Sequence, residues 1–191
     1  MKKFLTLKNI LLCAGALCGI LVFALSFASG MSGIIEGIQA KIPNIIWGAT
    51  QIKGNINGHV EVIAFYEGFG LTSSGVLALP FIGVLLALLA AIGACVVMFV
   101  VKNEKTRKIV LLVCAGLILL GGVFQFFSGA MFPNHVANRM IANGVIPESN
   151  RPYVIQMFVQ MHANAAVYIT GVIGILGGLA VGASQFLPEK K

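Results

Sequence analysis

The chain has 191 residues, of which 58% are hydrophobic and only 10% charged, with a net charge of +7 and a mean hydropathy of +0.96. A soluble domain carries about 25% charged residues, so an ordinary water-soluble globule is excluded. The basic excess forms no large patch on a soluble domain, which argues against nucleic acid as a partner.

Charge is segregated along the chain. The stretches Lys8 to Glu36, Glu67 to Lys102, Lys108 to Arg139 and Arg151 to Glu189 enclose 27, 34, 30 and 37 residues without Asp, Glu, Lys or Arg. Each exceeds the roughly 20 residues that cross a bilayer core as a helix. Four spans are predicted, at about 9-29, 76-101, 109-131 and 163-187, within a single membrane domain covering 1-191. The outer segments are then about 30-75 and 132-162. Nine of the 13 basic residues (Lys2, Lys3, Lys8, Lys102, Lys105, Arg107, Lys108, Lys190 and Lys191) fall on one side of this threading. The positive-inside rule places that side, with both termini, in the cytoplasm of a multi-pass cell-membrane protein.

Met1 to Ala28 combines a basic start with an apolar run, and Ser26-Phe27-Ala28 imitates a cleavage site. The run is longer than the roughly 7–15 residues of a signal-peptide core, and the charge pattern suits an even number of spans. Retention as the first span is therefore expected. Gly15 and Gly19 give it a G-x-x-x-G, a pattern frequent in membrane helices.

In the first outer segment, Ile45–Ile56 and His59–Tyr66 flank Asn57-Gly58. That dipeptide suits a tight turn with positive φ, so a β-hairpin is predicted. A lone hairpin is marginal in water and should rest on helix ends or on a partner. Trp47 reads as an interfacial anchor or, alternatively, a binding residue.

Span two carries a small-residue stripe, Gly83, Ala87, Ala91 and Cys95, expected to mesh with a second stripe on span four: Ala166, Thr170, Gly174, Gly178 and Gly182. A spacing of four keeps such residues on one slowly drifting helix face, and small residues let helices approach closely in lipid. Lys102–Lys108 makes spans two and three antiparallel neighbours. Gln125, deep in span three, should pair across helices, or else line a path.

In the second outer segment, Asn134–Asn143 reads as a short helix between Pro133 and Gly144. Pro152 suits the first position of another helix. If unbroken to Leu187, that helix would place Tyr153, Met157, Met161 and His162 on an outer face.

Chemistry is sparse. There is no Asp, no ionisable residue in the core of any span, and no phosphate-loop, nucleophile-elbow or zinc-protease motif. The cysteines Cys13, Cys18, Cys95 and Cys114 all lie in spans without C-x-x-C, which suits buried packing. His135 and His162 could approach each other at outer span ends, and Glu61 and Glu67 within the hairpin, but no ligand-spaced cluster accompanies them. No catalytic, cofactor-binding or metal residue is assigned, and no cofactor is expected.

The layout, with four spans, inner termini, a longer strand-bearing first outer loop and a shorter second one, resembles the tetraspan families of claudin and peripheral-myelin type. Those families carry Gly-Leu-Trp and two cysteines in the first loop. Here Trp47-Gly48 stands without either, so the resemblance is one of topology.

The fold expected is an all-α integral membrane protein, a four-transmembrane-helix bundle with a small β-hairpin in the first outer loop. The function expected is non-enzymatic: an accessory or self-associating membrane component, in contact with the lipid bilayer and with a protein partner or a second copy through its outer loops. The alternative is a small transporter or pore-forming subunit.

Overall fold

The computed structural model describes residues 6–35, 38–47, 51–56, 58–65, 77–142 and 144–188. Four helices are long and apolar enough to cross a membrane: α1 (Leu7–Ser26), α2 (Ala78–Val100), α3 (Glu104–Gln125) and α6 (Ala165–Ser184). Between α1 and α2 lie strands β1 (Gly30–Ile35), β2 (Ile38–Pro43), β3 (Gln51–Ile56) and β4 (His59–Phe65). Between α3 and α6 lie helices α4 (Ser128–Ala142) and α5 (Arg151–Phe158) and strand β5 (Met161–Ala163). The chain forms two compact units: 1–24, 82–125 and 169–191 in one, 25–81 and 126–168 in the other.

The first unit is a ring of antiparallel helices joined by small residues. A Cβ added at Gly15 of α1 would meet the Gly177 carbonyl oxygen and the Val181 side chain of α6 at 2.6 Å. One at Gly19 would meet Ala91 Cβ of α2 at 2.8 Å. In α3, Gly121 faces Gly83 and Ala87 of α2, while its neighbour Gly122 faces Gly171, Gly174 and Ile175 of α6. Successive helical residues are about 100° apart, so one glycine pair serves two neighbours. Ile118 is fully buried, and its side chain lies 3.5 Å from a Cβ at Gly19 and 3.4 Å from one at Gly177. It packs with Leu12, Ala91, Ala94, Leu111 and Val181.

One expectation is corrected here. The Gly83–Ala87–Ala91 stripe of α2 meets α3 and α1, not the stripe on α6. In a four-membered ring each helix touches two flanking neighbours, and those neighbours occupy the stripe. Gly174 and Gly178 of α6 meet α3 instead, with a Cβ at Gly178 only 2.6 Å from Leu119 Cβ.

The link between α2 and α3 is shorter than the basic run suggests. Asn103 caps α3 through its Oδ1, which accepts the Thr106 N–H at 3.1 Å. Lys105, Arg107 and Lys108 therefore sit in the first turns of α3. Lys108 Nζ lies 5.0 Å over the ring of Phe186, just past α6, so the start of α3 and the end of α6 are at the same end of the unit.

The second unit contains more sheet than a hairpin. Five antiparallel strands run in the order β4-β3-β2-β1-β5. The predicted turn is present: Ile56 pairs with His59, and Gly58 has φ +86°. The first strand of that hairpin is shorter than Ile45–Ile56, because Ile45 to Trp47 form a turn after Asn44, which takes φ 56°. Asn tolerates this left-handed conformation better than most residues. The turn buries Ile45 and Ile46.

Two helix expectations also change. Pro133 lies inside α4, which begins at Ser128, although Gly144 ends the segment at φ +69° as expected. Pro152 does sit in the first turn of α5, but no 36-residue helix follows. Met161–Ala163 pair with Gly33–Met31 of β1. Asn164 then restarts the chain as α6: its Oδ1 accepts the Val167 N–H at 3.3 Å, and its Nδ2 donates to the Ala28 carbonyl at 2.9 Å. Long-range strand pairing thus prevails over helical continuity. Phe132 of α4 and Phe158 of α5 meet edge to face at 5.9 Å, both buried.

Candidate interaction surface

The two faces of the sheet differ as period-2 geometry requires. On one, Met31, Ile35, Ala40, Ile42 and Met161 are buried. On the other, residues directly opposite one another across the strands form two rows. His162, Ser32, Lys41 and Lys53 make the first; Ile34, Gln39, Asn55 and Val60 make the second. All but the half-buried Ser32 are exposed. The ladder is irregular between Ile52 and Lys53, where β3 and β4 change register. Such bulges twist a strand and re-aim the side chains beside them.

Close approach fixes the far side of the sheet. A Cβ at Gly33 would collide with the carbonyl of Gln160 and come within 2.8 Å of Met161 Cα. Only a missing side chain lets β5 lie against β1 there.

Trp47 is half-buried and held on three sides. Its ring stacks on Phe27 at 4.7 Å and meets the edge of Phe81 at 5.2 Å. Its Nε1–H donates to Ser26 Oγ at 2.7 Å. A buried indole needs such an acceptor. The polar atom with which Trp47 could grip a partner is therefore already engaged, which favours the anchoring role over the binding one.

Arg151 forms a polar clamp at the start of α5. Its Nε and Nη2 donate to the two carboxylate oxygens of Glu148, and Nη1 donates to Asn138 Oδ1 of α4. The hydrogen bond from Arg151, with its positive charge, holds the Glu148 carboxyl below the usual glutamate range. Both side chains face solvent, so this pair orients the start of α5 more than it stabilises it.

The residues raised from sequence as polar candidates fall on different elements. Gln125 is fully buried at the end of α3. Its Nε2 donates to the Gly121 carbonyl of its own helix at 3.1 Å and lies 3.2 Å from a Cβ at Gly83 of α2. It packs at a helix seam. His135 belongs to α4 and His162 to the exposed side of β5. Tyr153 is exposed on α5 while Met161 is buried on β5, so the expected common face of Tyr153, Met157, Met161 and His162 does not form. Glu61 lies on β4 opposite Gly54, on the other side of the sheet from Lys53; Glu67 lies outside the described residues. Among the described residues no three His, Cys, Asp or Glu side chains gather as a metal site would require.

Sequence reasoning missed the lysine pair. Lys41 and Lys53 become neighbours only once β2 and β3 are in register. No protein-family model and no curated protein matches this chain.

Proposed function

We propose that this is a non-enzymatic four-span protein of the cell membrane, an accessory or self-associating component that acts through the surface of its strand-bearing unit. One observation carries the proposal. The sheet of the second unit is a folded platform with a solvent-exposed polar face, whereas the four-helix unit fills its interior with glycine and alanine contacts.

Insertion in the bilayer is supported by the outward surfaces of the helices. Only 33–39% of each apolar window is buried within the chain. Leu17, Leu89, Val113 and Leu176 stay more than half exposed. Apolar surface on that scale needs a covering, and lipid supplies it. The cytoplasmic placement of both termini rests on Lys8, Lys102, Lys105, Arg107 and Lys108, which lie at one end of the antiparallel ring.

Chemical crosslinking in native membranes, followed by detergent extraction, tests the contact role. A stoichiometric partner or a homo-oligomer is expected. A clean monomer under the same conditions would refute it. Reporter fusions at each terminus should be active only as cytoplasmic reporters.

A further inference from the structure

We propose that the exposed face of the sheet docks an acidic segment of a protein partner, with Lys41 and Lys53 receiving its carboxylates. This deepens the contact role proposed above and rests on it.

The first ground is an unfavourable juxtaposition. Lys41 and Lys53 are direct cross-strand partners on the exposed face. Directly opposed residues have Cβ atoms about 4.5–5.5 Å apart, and like charges at that spacing oppose strand pairing. Two lysines so placed are relieved by an anion lying between them.

Second, no described acidic residue faces the two lysines. Among the described residues Lys41 and Lys53 make no ion pair. Glu61 projects to the opposite side of the sheet, and Glu148 is engaged by Arg151. The described exposed face carries no acidic side chain at all.

The third ground selects the class of anion. Beside the lysines, Gln39 and Asn55 are directly opposed, with the exposed Ile34 and Val60 at the two ends of that row. The row spans three strand intervals, about 14 Å. An acidic polypeptide offers carboxylates to the lysines, backbone amides to Gln39 and Asn55, and apolar side chains to Ile34 and Val60. A polyuronate lacks the apolar groups, and among its described residues this face has no Phe, Tyr or Trp ring for a sugar to stack on. A lipid surface would favour adjacent apolar residues, whereas here two amides separate them.

The test uses the full chain in phosphatidylcholine nanodiscs, with a synthetic peptide of alternating Glu and Val as the probe. Binding is expected to weaken with salt and to fall about tenfold or more in the double variant Lys41→Gln/Lys53→Gln. Lys53→Arg should retain it, and so should the control Lys105→Gln. The double variant should also melt about 1–3 °C higher, because the repulsion is gone. Equal binding by wild type and double variant overturns the proposal, as does a lowered melting temperature. Tighter, lysine-dependent binding to polygalacturonate or to phosphatidylglycerol vesicles overturns it in favour of those anions. A photo-crosslinking residue at Gln39 or at Tyr153, in native membranes, separates the two levels of inference. A partner captured from Tyr153 but never from Gln39 sinks the docking face and leaves the contact role standing. No adduct from either position, together with a monomer, removes the contact role itself.

Discussion

The two units of this protein are held together by opposite means. In the four-helix unit, cohesion comes from missing side chains: Gly15, Gly19, Gly121, Gly122, Gly174 and Gly178 bring backbones to within reach of one another. In the strand-bearing unit it comes from directional polar contacts: four ladders of strand hydrogen bonds, the Asn164 cap, the Trp47–Ser26 bond and the Arg151 clamp. On the bilayer placement proposed above, the contrast follows from solvent. Where hydrocarbon surrounds a helix there is little hydrophobic gain in bringing helices together, so close dispersion contact must do it. Where water is present, buried apolar faces and satisfied polar groups can both contribute.

Substitutions can break this contrast at graded cost. The largest effect is expected at a helix seam. Gly178→Leu should destabilise by about 3 kcal/mol, because the added side chain meets Leu119 and the Ala115 carbonyl. Gly116→Leu, on the same helix system but with nothing within 4 Å of its added Cβ, should be neutral or slightly stabilising in a detergent melt. Equal melting temperatures for the two variants would show that glycine contacts do not hold the ring.

Gly33→Val should cost somewhat less, about 2 kcal/mol, since β5 has only three residues and can detach from β1. Faster hydrogen exchange at Met161–Ala163 is the expected signature, with α3 unaffected. Trp47→Phe keeps a ring between Phe27 and Phe81 but removes the donor to Ser26, and should cost about 1 kcal/mol. A melt unchanged by this substitution would reduce the bond to a bystander.

The smallest effect belongs to Glu148. Its carboxyl is held below the usual range by Arg151, so its stabilising contribution is present at neutral pH. It should fade as pH falls from about 4.3 downward through the lowered folded value. The melting difference between wild type and Glu148→Gln should therefore be slight at pH 7 and vanish in acid. A difference that grows in acid would contradict the assigned direction.

How much of this was legible in advance depended on sequence distance. The small-residue stripes of α2 and α6 were visible because helix periodicity is local, but the partners of each stripe were not. The turn at Gly58 was visible from Asn57-Gly58, while β1, β2 and β5 left no comparable mark. Asn164 stood in plain view as a cap before an apolar run, yet the unbroken stretch from Pro152 masked it. The lysine pair could not be seen, because residues 41 and 53 approach only through the β2–β3 register.

By itself the chain determined four apolar helices of membrane length, the basic end they share and one tight turn, since hydropathy, charge and turn chemistry are properties of neighbouring residues. Tertiary structure alone decided which glycine meets which helix, where the long last helix is interrupted, and which cations stand side by side. Those outcomes depend on contacts between residues far apart in sequence, such as Gly33 with Met161 and Gly122 with Gly174, whose cost and benefit no local pattern encodes.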